Sequence, residues 1–408
     1  QQSDLQRQLR RRLISAISTE RIVDAILVVV GMRVVVLGAG FGGMELCTML
    51  SEALGDELEI TLIDKGEAFV FGFSKLDVMF GIKEPESVKL PYAEFVKPGV
   101  TVLQETITAI DPESRRVTTD VGEHEADVLV VALGADYDYA ATPGISQGRN
   151  EFYSVPGAER MRESLSAFAG GRVVVGVCGA PFKCPPAPSE TALMMHDHLA
   201  KRGLRESSEI QLLLPFESQP IPPSPDSSEA LLTAFAERDI RFFPASRVVG
   251  LDEDRGVAMT EDGREFPYDL FLGVPRQRAP QVVLESGMAE DGYIPVDSAT
   301  LKTAFPGVYA VGDVATQGTP KAGTFAESAA KVVASSLIAD LRGGDQLPHL
   351  GTGSCYIEFG AGRIAGVDIN FLSAPKPIGT FREPSEALRV EKERFGADRR
   401  ARWFGRPG

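Results

Sequence analysis

Cysteine is scarce in this chain, positive charge is outweighed, and no long apolar run occurs. Four cysteines in 408 residues are too few for the disulfide framework of a secreted scaffold, yet they leave room for one redox pair. The 42 lysines and arginines are set against 57 aspartates and glutamates, a net charge of −15. That balance argues against a nucleic-acid partner and gives little general attraction to an anionic membrane surface. No stretch reaches the ~18 continuous apolar residues of a membrane-spanning helix. Residues 1–31 hold a basic segment, LQRQLRRRLISAI, and an apolar one, AILVVVG. The apolar segment is short for a secretion signal and no A-x-A cleavage pattern follows it. Residues 1–31 are therefore read as an extension outside the core fold.

What is present is a chain long enough for two or three domains, with an ordinary apolar content of 43%. MRVVVLGAGFGGMELCTMLSEAL reads as a buried strand, a glycine turn and a helix. Gly38, Gly40 and Gly43 have the spacing of a dinucleotide-binding turn. Gly38 permits the tight turn, Gly40 clears the approach of a pyrophosphate, and Gly43 lets helix and strand pack closely. Phe41 and Gly42 complete the turn, and the helix N-terminus favours phosphate charge. The next strand, LEITLIDKG, carries Asp64, 21 residues past Gly43, where an acid can bind ribose hydroxyls. Lys65 beside it faces either the adenine ribose or water.

Two later strands end in small-residue turns: ADVLVVALGA, with Ala132, Leu133 and Gly134, and FPGVYAVGDVA, with Gly312 and Asp313. Both resemble the accessory FAD motifs of the flavoprotein superfamily built from two dinucleotide-binding domains, where the second motif's aspartate binds the ribityl chain. Asp313 matches it. A helix is predicted from about Ala322 to Leu341, stopped by Gly343 and Gly344. Its N-terminus should point at the flavin and stabilise negative charge on the reduced ring. Lys321, just before it, adds a full charge or is a solvated loop lysine.

GGRVVVGVCGAPFKCPPAPSETALMMHDHLAKRG repeats the strand–loop–helix pattern with an altered loop. Gly176 and Gly179 do not complete a glycine turn, and Pro185, Pro186 and Pro188 remove backbone donors that would hold a pyrophosphate. Glu217, in the ribose-acid position of the following strand, is discounted for want of that turn. The unit reads as a Rossmann-like domain with a damaged NAD site. Cys184 has its backbone direction restricted by the prolines, which suits a thiol meeting a fixed target. Cys355, in GSCYIEFG, lies 171 residues later. Cys47 and Cys178 fall on a helix and a strand and read as small buried hydrophobes.

With FAD motifs, KCPPAPSE, GSCYIEFG and the carboxy-terminal KERFGADRRARWFG, the chain resembles the sulfide:quinone oxidoreductase and flavocytochrome c sulfide dehydrogenase flavoprotein family. The resemblance implies that Cys184 and Cys355 form a redox disulfide against the flavin. Hydrosulfide would open it to a persulfide and a thiolate, and electrons would leave to a quinone or a one-electron carrier. Lys183 would favour the thiolate by its charge. Glu190 matches a family carboxylate and either shuttles protons or stabilises the first turn of its helix beside Ser189 as N-cap. Lys321 completes the catalytic set. The family's quinone-linked members carry a third cysteine that has no counterpart between Cys47 and Cys178. The segment EAFVFGFSKLDVMFG lacks the cysteine that attaches flavin in flavocytochrome-type members, so noncovalent FAD is expected.

His196 and His198 flank Asp197 on one predicted helix and face different directions, so no metal site is expected. No C-x-x-C-H haem attachment site occurs, so a cytochrome would be a separate chain. The carboxy-terminal PSEALRVEKERFGADRRARWFG mixes Leu388, Val390, Phe395, Trp403 and Phe404 with arginines. It suits either peripheral membrane docking and quinone access or packing against its own core or another subunit.

The reading is an α/β fold of two Rossmann-like domains. An FAD domain occupies 32–145 and returns at 276–345, a degenerate NAD-like domain carrying the cysteine loop occupies 146–275, and a capping region occupies 346–408. The expected activity is oxidation of sulfide or a related sulfur compound, with quinone as acceptor, in the cytoplasm or peripheral on the cytoplasmic membrane. Homo-oligomerisation stays open. The alternatives are a type II NADH:quinone oxidoreductase-like enzyme, recognisable by bleaching with NADH, and a non-catalytic FAD redox sensor.

Overall fold

A computed structural model describes residues 31–146, 149–221 and 223–406. The expected extension, apart from Gly31, lies outside the described residues.

Along the chain the elements that position the site are β1 (Met32–Leu37), α1 (Phe41–Leu54), β2 (Leu58–Asp64), β3 (Val100–Gln104) and β4 (Val128–Val131). They are followed by β5 (Gly171–Val177), α2 (Ala187–Lys201), β6 (Ser208–Leu213), β7 (Ile240–Phe243), β8 (Leu270–Val274) and β9 (Val308–Ala310). The chain closes with α3 (Gly323–Arg342), β10 (Thr352–Glu358), β11 (Ile364–Asn370), β12 (Ile378–Ser385) and α4 (Glu386–Phe404).

One parallel sheet has the order β9-β4-β1-β2-β3, and a second has the order β7-β6-β5-β8. Val34, Val36 and Leu37 of β1, and Val173 to Val175 of β5, are fully buried. Continuous apolar strands of this kind belong in parallel sheets covered on both faces, where each buried branched side chain contributes about 1.5–3 kcal/mol. In both sheets the second strand in the chain lies on one side of the first and a later strand on the other. That topological switch opens a crevice at the carboxyl ends of the strands.

Helix α1 lies on α3, and Leu46, Cys47 and Leu50 share one buried cluster with Ala329, Ala330 and Val333. The alanines let the two helices approach closely. The last three strands form a separate antiparallel sheet, with Cys355 of β10 opposite Val367 of β11. Helix α4 then returns across α1, with Trp403 fully buried.

Candidate active site

The glycine turn after β1 is dictated by space. Gly38 has φ +98°, and a Cβ there would lie 2.5 Å from the Ala132 carbonyl oxygen. A Cβ on Gly43 would lie 2.0 Å from the Gly38 oxygen. At Gly40 the same atom would meet nothing within 4 Å, because the position opens into a cavity of about 480 Å³. Helix α1 has no side-chain cap at Gly40, which leaves first-turn amides for an anion. Asp64 accepts the Ala39 N–H on one oxygen and the Gly66 N–H on the other, both at 2.7 Å, so it braces the turn from β2.

Gly40, Phe41, Gly42, Ala132, Gly134, Gly312, Asp313, Lys321 and Ala322 all line this cavity. Gly38, Gly43 and Asp64 hold its floor from behind. Lys65 is exposed and Leu133 packs under the sheet; neither lines it. Among the described residues the Asp313 carboxylate accepts no hydrogen bond from the protein. Burial raises its pKa, with Lys183 and Lys321 opposing the rise. An open cradle at Gly40, uncapped helix starts at α1 and α3 and an unsatisfied acid at Asp313 fit a flavin dinucleotide.

Lys321 is not a solvated loop lysine. It is buried, its ammonium donates to the Asp313 carbonyl at 2.6 Å, and it sits 3.6 Å above the Tyr293 ring. Burial lowers its pKa to about 8, against the pull of Asp313.

Cys184 and Cys355 line the same cavity, one from the loop before α2 and one from β10. Both are free thiols here. Cys184 has φ +52°, its N–H donates to the Lys321 carbonyl at 2.8 Å, and its carbonyl accepts from Ala187 at 2.9 Å. Burial pushes the Cys184 thiol well above its ordinary pKa, with Glu190 and Cys355 adding to the rise. Burial, then Glu190, pushes Cys355 up to about 12.

The cation that lowers the Cys184 pKa is Lys392, not the neighbouring Lys183. The Lys183 ammonium turns away, donating to the Ala135 carbonyl at 2.8 Å and the Tyr137 hydroxyl at 3.3 Å. Lys392 reaches in from α4, donates to Glu358 at 2.5 Å and lies 5.3 Å from the Phe73 ring centre. Sequence reasoning missed it; the visible signal was its i, i+3 spacing with Phe395, which also lines the cavity.

Glu190 is 3% exposed and accepts the Glu358 N–H at 3.0 Å. Burial raises its pKa to about 7, with Lys392 opposing and Glu358 adding. The expected cap is not Ser189. Helix α2 starts at Ala187 with Pro186 at its N-cap, and the buried Ser189 hydroxyl has no partner among the described residues.

Strand alternation separates two faces at β10. Tyr356 packs on Phe395, ring centres 5.8 Å apart. Cys355, one residue back, also lines a second, apolar cavity of about 440 Å³ with Pro181, Phe182, Phe216 and Phe325.

The basic and aromatic end of the chain is engaged within the molecule. The Trp403 indole donates to Glu45 at 2.9 Å, Arg402 pairs with Glu45 and Glu52, and Arg399 pairs with Glu327. Phe404 stacks edge-on against Phe95 at 6.2 Å. Val390 and Arg394 of the same helix are exposed. Cys47 and Cys178 are buried as expected, and Glu217 is exposed. No helix among the described residues is long and apolar enough to cross a membrane.

A mouse mitochondrial sulfide:quinone oxidoreductase is 25% identical over 377 residues, covering 87% of this chain and 82% of that protein. A type II NADH:quinone oxidoreductase of Staphylococcus aureus is 36% identical over 104 residues, 25% of this chain and 26% of that protein. The crystal structure of the Aquifex aeolicus sulfide:quinone oxidoreductase shares the fold, with TM-score 0.79 at 23% identity over 91% of both chains. The pyridine nucleotide-disulphide oxidoreductase pattern matches residues 32–330. The chain belongs to the pyridine nucleotide-disulphide oxidoreductase family and is an enzyme similar, over most of its length, to sulfide:quinone oxidoreductase.

Proposed function

We propose that the protein oxidises sulfide through a Cys184–Cys355 disulfide beside a noncovalently held FAD and passes the electrons to a quinone. The observation that carries this reading is that both cysteines line the cavity formed by the dinucleotide-turn residues. The names of the mouse and Aquifex relatives point the same way.

Gly40 and Gly42 would accept the pyrophosphate, Asp313 the ribityl chain, and Lys321 with the start of α3 the negative end of the ring. Phe69 and Phe73 line the segment where a covalent attachment would need a nucleophile, which supports noncovalent binding. FAD, when bound, supplies a two-electron acceptor between the sulfur and the quinone.

The protein's own residues divide the sulfur chemistry. Hydrosulfide attacks the Cys355 sulfur, the one also reachable from the apolar cavity. A new S–S bond forms, the Cys184–Cys355 bond breaks, and Cys184 leaves as a thiolate. Glu190 takes the proton as hydrogen sulfide becomes hydrosulfide; its raised pKa places it near the working pH. Moving a proton from sulfur to Glu190 keeps the total negative charge near the cysteines constant, and Lys392 balances it. On the opposite face of β10, Phe73, Tyr356 and Phe395 offer an aromatic surface suited to a planar quinone.

The test is anaerobic mixing of the FAD-loaded protein with sulfide, with NADH, and with sulfide after Cys184→Ser. Bleaching of the oxidised flavin band by sulfide, lost in the variant, followed by re-oxidation with a short-chain quinone, is the expected result. Bleaching by NADH alone, unaffected by the cysteine change, would restore the NADH:quinone oxidoreductase reading. Inertness to both would leave a redox sensor.

A further inference from the structure

Opening a Cys184–Cys355 bond leaves a thiolate where burial and Glu190 both oppose negative charge. Lys392, the cation that favours it, is paired with Glu358, and the Lys183 ammonium turns away to the Ala135 carbonyl. The site still needs an uncharged donor, and Tyr153 is placed to be one.

Tyr153 lines the cavity with Cys184 and is 6% exposed. Its main chain is held on both sides. The N–H donates to the Glu151 carboxylate at 2.7 Å, and the carbonyl accepts the Lys75 ammonium and the Tyr137 hydroxyl, both at 2.7 Å. Its ring meets Phe152 edge-on at 5.1 Å. The hydroxyl, by contrast, has one acceptor among the described residues, the Cys184 carbonyl at 3.4 Å. That is long for an O–H···O bond, usually about 2.7–2.8 Å, and the same carbonyl already accepts the Ala187 N–H at 2.9 Å. A rigidly mounted, buried phenol with so poor an acceptor is free to serve a better one. Burial, then Cys184, pushes its pKa well above the ordinary value, so it donates without giving up its proton.

We propose that the Tyr153 hydroxyl donates a hydrogen bond to the Cys184 sulfur when that sulfur becomes a thiolate, and so eases its departure. This rests on the sulfide chemistry proposed above. Hydrosulfide bonds to the Cys355 sulfur, the Cys184–Cys355 bond breaks, and its electron pair stays on Cys184. The Tyr153 hydroxyl hydrogen turns from the Cys184 carbonyl to the sulfur, and the phenol keeps its proton. Hydrogen bonds to charged groups are stronger than neutral ones, so the bond strengthens as the charge develops.

The test uses FAD-loaded protein carrying Cys355→Ser, in which Cys184 has lost its disulfide partner. The rate of Cys184 alkylation by iodoacetamide, followed by peptide mass spectrometry between pH 7 and pH 9, reports the thiolate. Tyr153→Phe keeps the ring, removes the donor, and is expected to slow alkylation at least about tenfold. 3-Fluorotyrosine at position 153 strengthens the donor in nearly the same shape and should speed alkylation at least about twofold. FAD content and a thermal melt report folding, and the 3-fluorotyrosine arm stands if Tyr153→Phe fails either. An unchanged rate in Tyr153→Phe overturns the proposal. A 3-fluorotyrosine rate equal to wild type does so too, since it leaves the hydroxyl a brace for the backbone alone. In protein with both cysteines, bleaching by sulfide at the wild-type rate in Tyr153→Phe also overturns it. Alkylation that follows the donor, with no bleaching by sulfide at all, would overturn the sulfide reading and leave the bond from Tyr153 to the thiolate standing.

Discussion

The backbone N–H of Cys184 donates to the carbonyl of Lys321 at 2.8 Å. That bond ties the proline loop of the second sheet to the entrance of α3, so the thiol and the uncapped helix start are fixed relative to each other. Cys184 pays for the position with φ +52°, a region that costs a non-glycine residue about 1–2 kcal/mol. Strain retained at a cysteine is consistent with a functional site. Cys184→Ala should therefore keep FAD and the fold, while the rate of flavin bleaching by sulfide falls at least roughly 1000-fold. Stopped-flow absorbance beside a thermal melt checks both halves, and an unchanged rate would remove Cys184 from the chemistry.

The three glycines of the turn should fail in different ways. A methyl group at Gly40 enters open space, so Gly40→Ala is expected to fold with wild-type stability to within about 1 kcal/mol. It should bind FAD at least tenfold more weakly. Gly43→Ala drives a carbon to 2.0 Å from the Gly38 oxygen. Parting helix from strand should cost roughly 2–4 kcal/mol. Denaturant melts of the apo and FAD-loaded forms separate the two behaviours.

The glycine turn, Asp313, Cys184, Cys355 and Glu190 were legible because each is announced by its immediate neighbours in the chain. Lys183 misled for the same reason: it is next to Cys184 in sequence, but its ammonium points to Ala135 and Tyr137. Lys392 acts on Glu190 from 202 residues away, and no local pattern states which buried acid a helix lysine will meet. Arginines beside tryptophan read alike for a membrane face and for an internal clasp. The partner of Arg402 is Glu45, 357 residues earlier, and no local pattern names it. The apolar cavity was also hidden, since its walls come from the proline loop, α3 and the last sheet.

Glu190 makes a pH-dependent prediction. Its folded pKa, about 7 from a usual 4.5, lies above the unfolded value, so protonation stabilises the fold. That contribution is complete below about pH 4.5 and is lost as pH rises through about 7. The difference corresponds to roughly 3 kcal/mol. Glu190→Gln should therefore flatten the fall in stability between those pH values and be the more stable protein above neutrality. The same variant should lose the acidic limb of the pH profile for bleaching by sulfide. A profile that keeps that limb would assign proton uptake to another group.

The clasp between α1 and α4 makes the opposite one. Burial raises the Glu45 carboxyl, but hydrogen bonds from Arg402 and Trp403 outweigh it and the net pKa is lowered. A lowered folded pKa contributes stability above the unfolded value that is lost as pH falls through the folded one. Glu45→Gln leaves Arg402 with a weaker partner and should cost about 1–3 kcal/mol at pH 7. That deficit should shrink in acid, as pH falls below the ordinary carboxylate value toward the lowered folded pKa. Trp403→Ala removes a fully buried indole and should cost about 3–5 kcal/mol at pH 7; most of that should persist in acid, because a cavity does not titrate, while the part owed to the indole's hydrogen bond to Glu45 fades. Urea melts of the two variants at pH 7 and pH 3 distinguish the terms. A Glu45→Gln deficit that persisted unchanged in acid would show the clasp to be packing alone.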